Sequence, residues 1–183
     1  MLVVVGGHSR KIGKTSVVAA IIRETRDLDW TAVKITRHGH GEPSLTEEIN
    51  PAATGDSARY LTAGARRSYL LRAGEGRLAD ALPTLREVLQ SSRNAILESN
   101  SVLEFFRPDL FLVVLDYAVP DFKESTRRFV GRADAFALLN GGLAPPAWAG
   151  LVPFDTRPVF RVQPPEYVRP ELIGLVRTAY VAY

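Results

Sequence analysis

The chain contains no cysteine. It therefore has no disulfide framework, no thiolate metal site and no thiol nucleophile. Long apolar runs are missing as well, and none approaches the ~18 residues that a membrane span needs. The opening MLVVVGG lacks a basic flank and is too short in apolar residues for a secretory signal. These absences point to a cytoplasmic protein with no membrane partner. Nor does one sign of charge dominate: 23 Lys and Arg stand against 20 Asp and Glu, a net of +3. The arginine pairs at 66/67 and 127/128 are scattered rather than striped, which argues against nucleic acid as a partner.

What is present is one domain's worth of globular sequence, 183 residues of which 46% are hydrophobic and 23% charged. Short β-branched runs alternate with helical patterns, the signature of a parallel sheet covered on both faces. The expectation is a three-layer α/β/α architecture with a mainly parallel sheet, formed by residues 1–183 as a single domain. Leu2 to Val5 reads as a central strand, followed by a helix from Lys14 to Asp27 with Val17, Val18, Ile21 and Ile22 on one face. Residues 30–36 form the next strand, and the aperiodic stretch 37–55 a long loop. A short helix over 56–63 precedes a strand at 68–72. Leu78, Leu82, Leu85 and Leu89 mark a helix restarted at Pro83. Further strands fall at 94–99, 110–116, 134–140 and 159–162, with helices over 123–130 and through Leu172 and Val176.

The most specific feature is VVVGGHSRKIGKTSVV, residues 3–18. A phosphate-binding loop ordinarily carries a glycine five residues before its Gly-Lys pair. Here that position is His8, and Gly7 sits one place earlier. The physics is retained. Gly7 turns off the strand, and Gly13 lets the loop's backbone N–H groups, from His8, Ser9, Arg10, Lys11 and Ile12 onward, close on phosphate oxygens. The helix N-terminus, with Thr15 and Ser16, adds its positive dipole. Lys14 reaches the terminal phosphates, and the Thr15 hydroxyl completes a Mg2+ shell. The competing reading is a Gly-Lys-Thr-Ser that merely caps a helix. The aliphatic strand before it and the amphipathic helix after it favour nucleotide binding, with GTP or ATP as ligand and Mg2+ as cofactor.

A phosphate site also needs carboxylates for the metal and for positioning water. Glu98 ends a hydrophobic strand, so it emerges where ligands bind in this architecture; with Lys14 it forms the expected catalytic pair, the alternative being a cap on the following turn. Asp56, after the loop and before a helix, divides between a metal role and an N-cap. Asp116 also ends a strand, with a turn role as the alternative. Asn140 ends another strand where related enzymes read the base, yet Gly141 and Leu143 stand where a guanine-reading Lys and Asp would follow. GTP and ATP stay open. The three histidines, His8, His38 and His40, all follow strands that share one sheet edge. They are competent for a transition metal or an anion, against a loop of solvated side chains.

Beyond the phosphate loop, three segments resemble the molybdopterin-guanine dinucleotide biosynthesis protein B family. VKITRHGHG (33–41) is similar to its strand-plus-histidine segment, GDSARYLTAGARRSYLL (55–71) to its Asp-Ser-x-Arg helix and next strand, and NAILES (94–99) to its strand ending on an acidic residue. The one-residue-longer phosphate loop also resembles that of dethiobiotin synthetase and its relatives. The family resemblance implies a P-loop NTPase fold and a weakly hydrolytic GTP-binding adaptor that assists attachment of a nucleotide to molybdopterin. It also implies molybdopterin or a maturation protein as partner, and a homodimer. Departures are plain: Ser99 and Asn100 follow Glu98 where the family has glycine. An ATP-dependent synthetase, a metal-insertion GTPase using His38 and His40, and a non-catalytic binding module remain as alternatives.

Overall fold

The computed structural model describes residues 1–36, 41–74 and 76–181. Eight strands form one sheet: β1 (Leu2–Gly7), β2 (Trp30–Thr36), β3 (Ser44–Glu48), β4 (Arg67–Arg72), β5 (Asn94–Glu98), β6 (Leu110–Asp116), β7 (Ala135–Leu139) and β8 (Val159–Arg161). Their order is β3-β4-β2-β5-β1-β6-β7-β8. Every pairing is parallel except β3 with β4. Among the described residues, five α-helices pack on the sheet: α1 (Lys14–Glu24), α2 (Asp56–Ala63), α3 (Leu82–Gln90), α4 (Glu124–Phe129) and α5 (Pro170–Val181). This is the three-layer α/β/α arrangement expected from the alternation of apolar periods.

Strand alternation divides β1 between two apolar layers. Val3 and Val5 pack with Val17, Val18, Ile21 and Ile22 of α1 and with Leu172 and Val176 of α5. Val4 faces the other way, onto Leu85, Leu97, Phe111 and Val113. The four α1 side chains are wholly buried, each contributing roughly 1.5–3 kcal/mol through loss of water contact. The helix ends at Glu24, one turn short of Asp27. Thr25 leaves helical geometry, its hydroxyl donating to the Ile21 carbonyl at 2.5 Å and receiving the Trp30 indole N–H at 2.8 Å.

One segment departs from expectation. The stretch 37–55, expected as a loop, contains β3, an antiparallel edge strand. Leu45 is its one apolar residue, opposite Leu71 in the register. Glu47 is exposed and takes both ends of the Arg67 guanidinium, at 2.9 and 3.1 Å. A strand held by backbone pairing and charge, with one half-buried leucine, has no hydrophobic period to detect; charged edges of this kind also block further strand addition. Among the described residues, no helix is long and apolar enough to cross a membrane.

Because the central strands run parallel, β1, β2, β5, β6 and β7 present their C-terminal ends on one edge. β1 lies between β5 and β6 with its own helix leading off that edge. Open parallel sheets hold ligands at such a place.

Candidate functional site

Residues 8–13 carry the chain from β1 into α1. Gly13 has φ +87, a left-handed conformation that glycine adopts without strain. Among the described residues no side chain caps the helix that follows, so its first-turn N–H groups face the loop as a positive end. Gly7 is required by close approach: a Cβ there would stand 2.8 Å from Lys14 Cδ and 2.9 Å from Ile12 Cδ1. Ile12 is itself buried and its side chain anchors the loop in the core. Ser9 donates its hydroxyl to Asp121 Oδ2 at 2.7 Å.

Asn100 clamps the start of the loop. Its Oδ1 accepts the Gly7 N–H at 2.9 Å, and its amide nitrogen donates to the Gly7 carbonyl at 2.9 Å. Thr126 adds a hydroxyl donated to the same carbonyl at 2.8 Å. Asn100 thus holds the strand-to-loop turn from the end of the neighbouring strand.

The loop borders a cleft of about 680 Å³ lined by six cationic side chains (Arg10, Lys11, Lys14, Lys34, Arg59 and Lys123) and two carboxylates, Asp56 and Glu98. Such a surplus suits a polyanion. Lys14 donates to the Ser9 carbonyl at 2.5 Å. Burial brings its pKa down to about 8, against the opposing pull of Glu98. An ammonium held this far from water gains strongly from a phosphate.

Glu98 is 2% exposed and gathers three donors. Thr15 Oγ1 donates to its Oε2 at 2.8 Å; the Tyr60 hydroxyl donates to the same oxygen, and the Lys34 ammonium pairs with Oε1. Lys34 and Glu98 stand side by side in the β2–β5 register, which explains why two charges from distant segments meet. Tyr60, wholly buried on α2, has its pKa pushed well up, first by burial and then by the Glu98 charge, so it stays a donor. Asp56 opens α2, while Gly55 occupies the cap. Its carboxylate lies 3.0 Å from Lys34 Nζ and 3.9 Å from the Arg59 guanidinium. Arg59 also donates to Ser16 Oγ at 3.0 Å.

Thr15, Glu98 and Asp56 fit a Mg2+ on an observation internal to the molecule: their oxygens already converge on one cation, the Lys34 ammonium. Among the described residues no three His, Asp or Glu side chains converge as a self-sufficient metal site. A Mg2+ here needs phosphate and water to complete its shell, as is usual for this ion.

The remaining candidates lie elsewhere. His8 is fully buried, with its ring 4.6 Å from Trp148 and 5.7 Å from Phe122 between centroids. Nε2 accepts the Asp116 N–H at 3.0 Å, so Nδ1 carries the proton and donates to the Asp121 carbonyl at 2.6 Å. Asp116 accepts from the Ala118 N–H at 2.9 Å and from Asn140 Nδ2 at 2.7 Å, a turn role for both side chains. Tyr167, rather than Asn140, borders the cleft beside Gly13. His38 and His40 lie outside the described residues.

Burial lowers the His8 pKa below the usual imidazole range. The unfolded chain therefore takes up its proton first, and stability falls as pH drops below about 6.5. Within that window the slope from this group is on the order of 1.4 kcal/mol per pH unit. Urea midpoints at pH 7.5 and 5.5 should fall further for the wild type than for His8→Asn. Equal falls would exclude His8 as the source.

Lys34, Tyr60, Asn100, Arg59 and Tyr167 were not among the expected site residues. Lys34 had a usable signal, a lone charge inside the apolar strand WTAVKIT, and Arg59 stands in the Asp-Ser-x-Arg helix. Tyr60, Asn100 and Tyr167 had none.

No protein-family model matches the chain, and no curated protein matches it in sequence. Among solved structures, LpxK from Aquifex aeolicus, an "apo" form in complex with ATP, superposes with a TM-score of 0.55 at 18% identity, over 86% of this chain and 52% of that one. This chain thus spans about half the length of LpxK. HypB from Helicobacter pylori, in complex with nickel, superposes with a TM-score of 0.54 at 13% identity, over 98% of this chain and 87% of that one. At such identities the likeness establishes the fold alone, the three-layer α/β/α arrangement with a mainly parallel sheet.

Proposed function

We propose that the cleft binds a nucleoside triphosphate with Mg2+ and hydrolyses it slowly. The observation that carries this reading is the convergence of the uncapped α1 N-terminus, the partly desolvated Lys14 and the Thr15–Glu98 hydrogen bond on one cationic cleft. Backbone N–H groups of the loop hold phosphate oxygens, and Lys14 sets its charge against the terminal phosphates. Thr15, Glu98 and Asp56 hold the metal, which when bound neutralises charge on the phosphate oxygens. Slow turnover follows from Glu98. It already accepts from Thr15, Tyr60 and Lys34, and a carboxylate so engaged is a poor base toward water.

A slow, tightly held nucleotide suits an adaptor whose state depends on what is bound. The resemblance to molybdopterin-guanine dinucleotide biosynthesis protein B supports such a role in molybdenum-cofactor maturation. Its Asp-Ser-x-Arg helix is the element that brings Asp56 and Arg59 to the cleft. Asn140 is engaged by Asp116 away from the cleft lining, and Gly141 and Leu143 supply no guanine-reading side chain, so the choice of GTP or ATP falls to measurement.

A thermal-shift panel of GTP, ATP and GDP with Mg2+, followed by Ni2+ and Zn2+ alone, tests the proposal. A ligand at a hundredfold excess over Kd stabilises by about 2.7 kcal/mol, which for a chain of this size raises Tm by roughly 5–10 °C. The absence of any shift with millimolar triphosphate and Mg2+ would refute it.

A further inference from the structure

The cation at the centre of the Thr15–Glu98–Asp56 cluster belongs to the protein. Lys34 Nζ pairs with Glu98 Oε1, lies 3.0 Å from Asp56 Oδ2 and 3.3 Å from Thr15 Oγ1. These are the three side-chain oxygens that fit the Mg2+ of the proposed nucleotide complex. A buried carboxylate without a counter-charge is strongly destabilising, and Glu98 is 2% exposed; the Lys34 ammonium supplies that charge from the adjacent strand. A Mg2+ takes its oxygens at about 2.0–2.1 Å and leaves no room for an ammonium among the same three atoms. We infer that Lys34 is a tethered counter-ion that holds the divalent-cation position and must withdraw before a metal enters.

The geometry provides somewhere for it to go. Asp56 is the outermost of the three partners, its side chain 40% exposed against 2% for Glu98, so an ammonium that leaves Glu98 stays on the solvent side of the Asp56 carboxylate while that group's other oxygen serves the metal. Metal entry then exchanges one cation for another at Glu98, and the carboxylate is compensated at every stage. A consequence is that the free protein discriminates against bare divalent cations. The metal enters with the phosphates, whose charge both recruits it and draws Lys34 outward. This inference rests on the nucleotide reading for the metal's purpose, but the competition between ammonium and metal is measurable without nucleotide.

The test is titration of nucleotide-free protein with Mn2+ alone, followed by loss of the free-ion paramagnetic resonance signal. Lys34→Met should bind Mn2+ at least tenfold more tightly than wild type, and adding Glu98→Gln to it should remove that gain. Lys34→Gln keeps an N–H donor for Glu98 and serves the same purpose if Lys34→Met does not fold. Arg10→Met, which removes an exposed cation from the same cleft, controls for the general field. Equal Mn2+ affinity in wild type and both Lys34 variants, or an equal gain in Arg10→Met, would overturn the inference. Binding of a fluorescent GTP or ATP analogue is measured on the same proteins. A tenfold Mn2+ gain in proteins that bind neither analogue would sustain the role of Lys34 and overturn the nucleotide reading instead.

Discussion

Lys14→Ala is expected to weaken triphosphate binding by at least two orders of magnitude while leaving the fold intact. The side chain lies over Gly7 with its ammonium on the Ser9 carbonyl, so it packs on the loop and adds little to the apolar core. Its energetic position is unusual, since burial has already lowered its pKa to about 8. Phosphate oxygens restore the environment that the ammonium lacks, and charge-assisted hydrogen bonds of this kind are about twice as strong as neutral ones. Arg10 and Lys11 are exposed on the loop and the remaining lining cations come from other elements, so none replaces a group seated inside it. The same pKa carries a pH dependence. Bound phosphate favours the charged lysine, so affinity declines as pH rises through 8, by up to tenfold per unit until the pKa of the complex is reached. Calorimetry on the folded variant and on wild type at pH 7 and 9 checks both statements. Unchanged affinity in Lys14→Ala would remove the phosphate-loop reading.

Glu98→Gln is expected to act on the metal and on stability together. The substitution keeps the side-chain volume but replaces an all-acceptor group with one that must also donate. Thr15, Tyr60 and Lys34 all direct donors at Glu98, and an amide has one oxygen to offer them. At least one buried donor loses its acceptor, a cost of about 1–3 kcal/mol, and Lys34 is left with Asp56 as its carboxylate. This exceeds the roughly 0.5–1 kcal/mol expected of a lost cap. Mg2+-dependent affinity and turnover should drop sharply, whereas nucleotide binding in the absence of metal should be unchanged or slightly tighter, a negative charge near the phosphates having gone. Phosphate release and melting temperature measured side by side decide the matter. A lowered melting temperature with wild-type turnover and Mg2+ dependence would make Glu98 purely structural.

Much of the layout was readable in advance because its causes are local. The bounds of α2 and the restart of the helix at Pro83 follow from residues within a turn of one another. β3 escaped because its pairing energy comes from β4, whose paired residues lie 20 to 28 positions on, and only Leu45 records that in an apolar side chain. His8 illustrates a different limit. Its place in the phosphate loop suggested a ligand contact, yet the imidazole is turned into an aromatic pocket made by Phe122 and Trp148, residues whose proximity no short-range pattern encodes.

The sequence by itself determined the mainly parallel sheet, the position of Glu98 at the end of a strand and the strand–loop–helix that opens the chain, though not where its helix ends. Those follow from periods of two and 3.6, from glycine's tolerance of positive φ and from a lysine at a helix start, all of which act over a few residues. Only the tertiary structure decided what Glu98 touches. Tyr60, Lys34 and Thr15 reach it from 38, 64 and 83 residues away, and Asn100 grips Gly7 across 93. These meetings depend on strand order and register, in which β2 and β1 flank β5 and Lys34 falls opposite Glu98. Register is set by the fit of whole apolar faces, a sum over dozens of buried side chains, and a shift of one residue would turn Lys34 to the opposite face of the sheet.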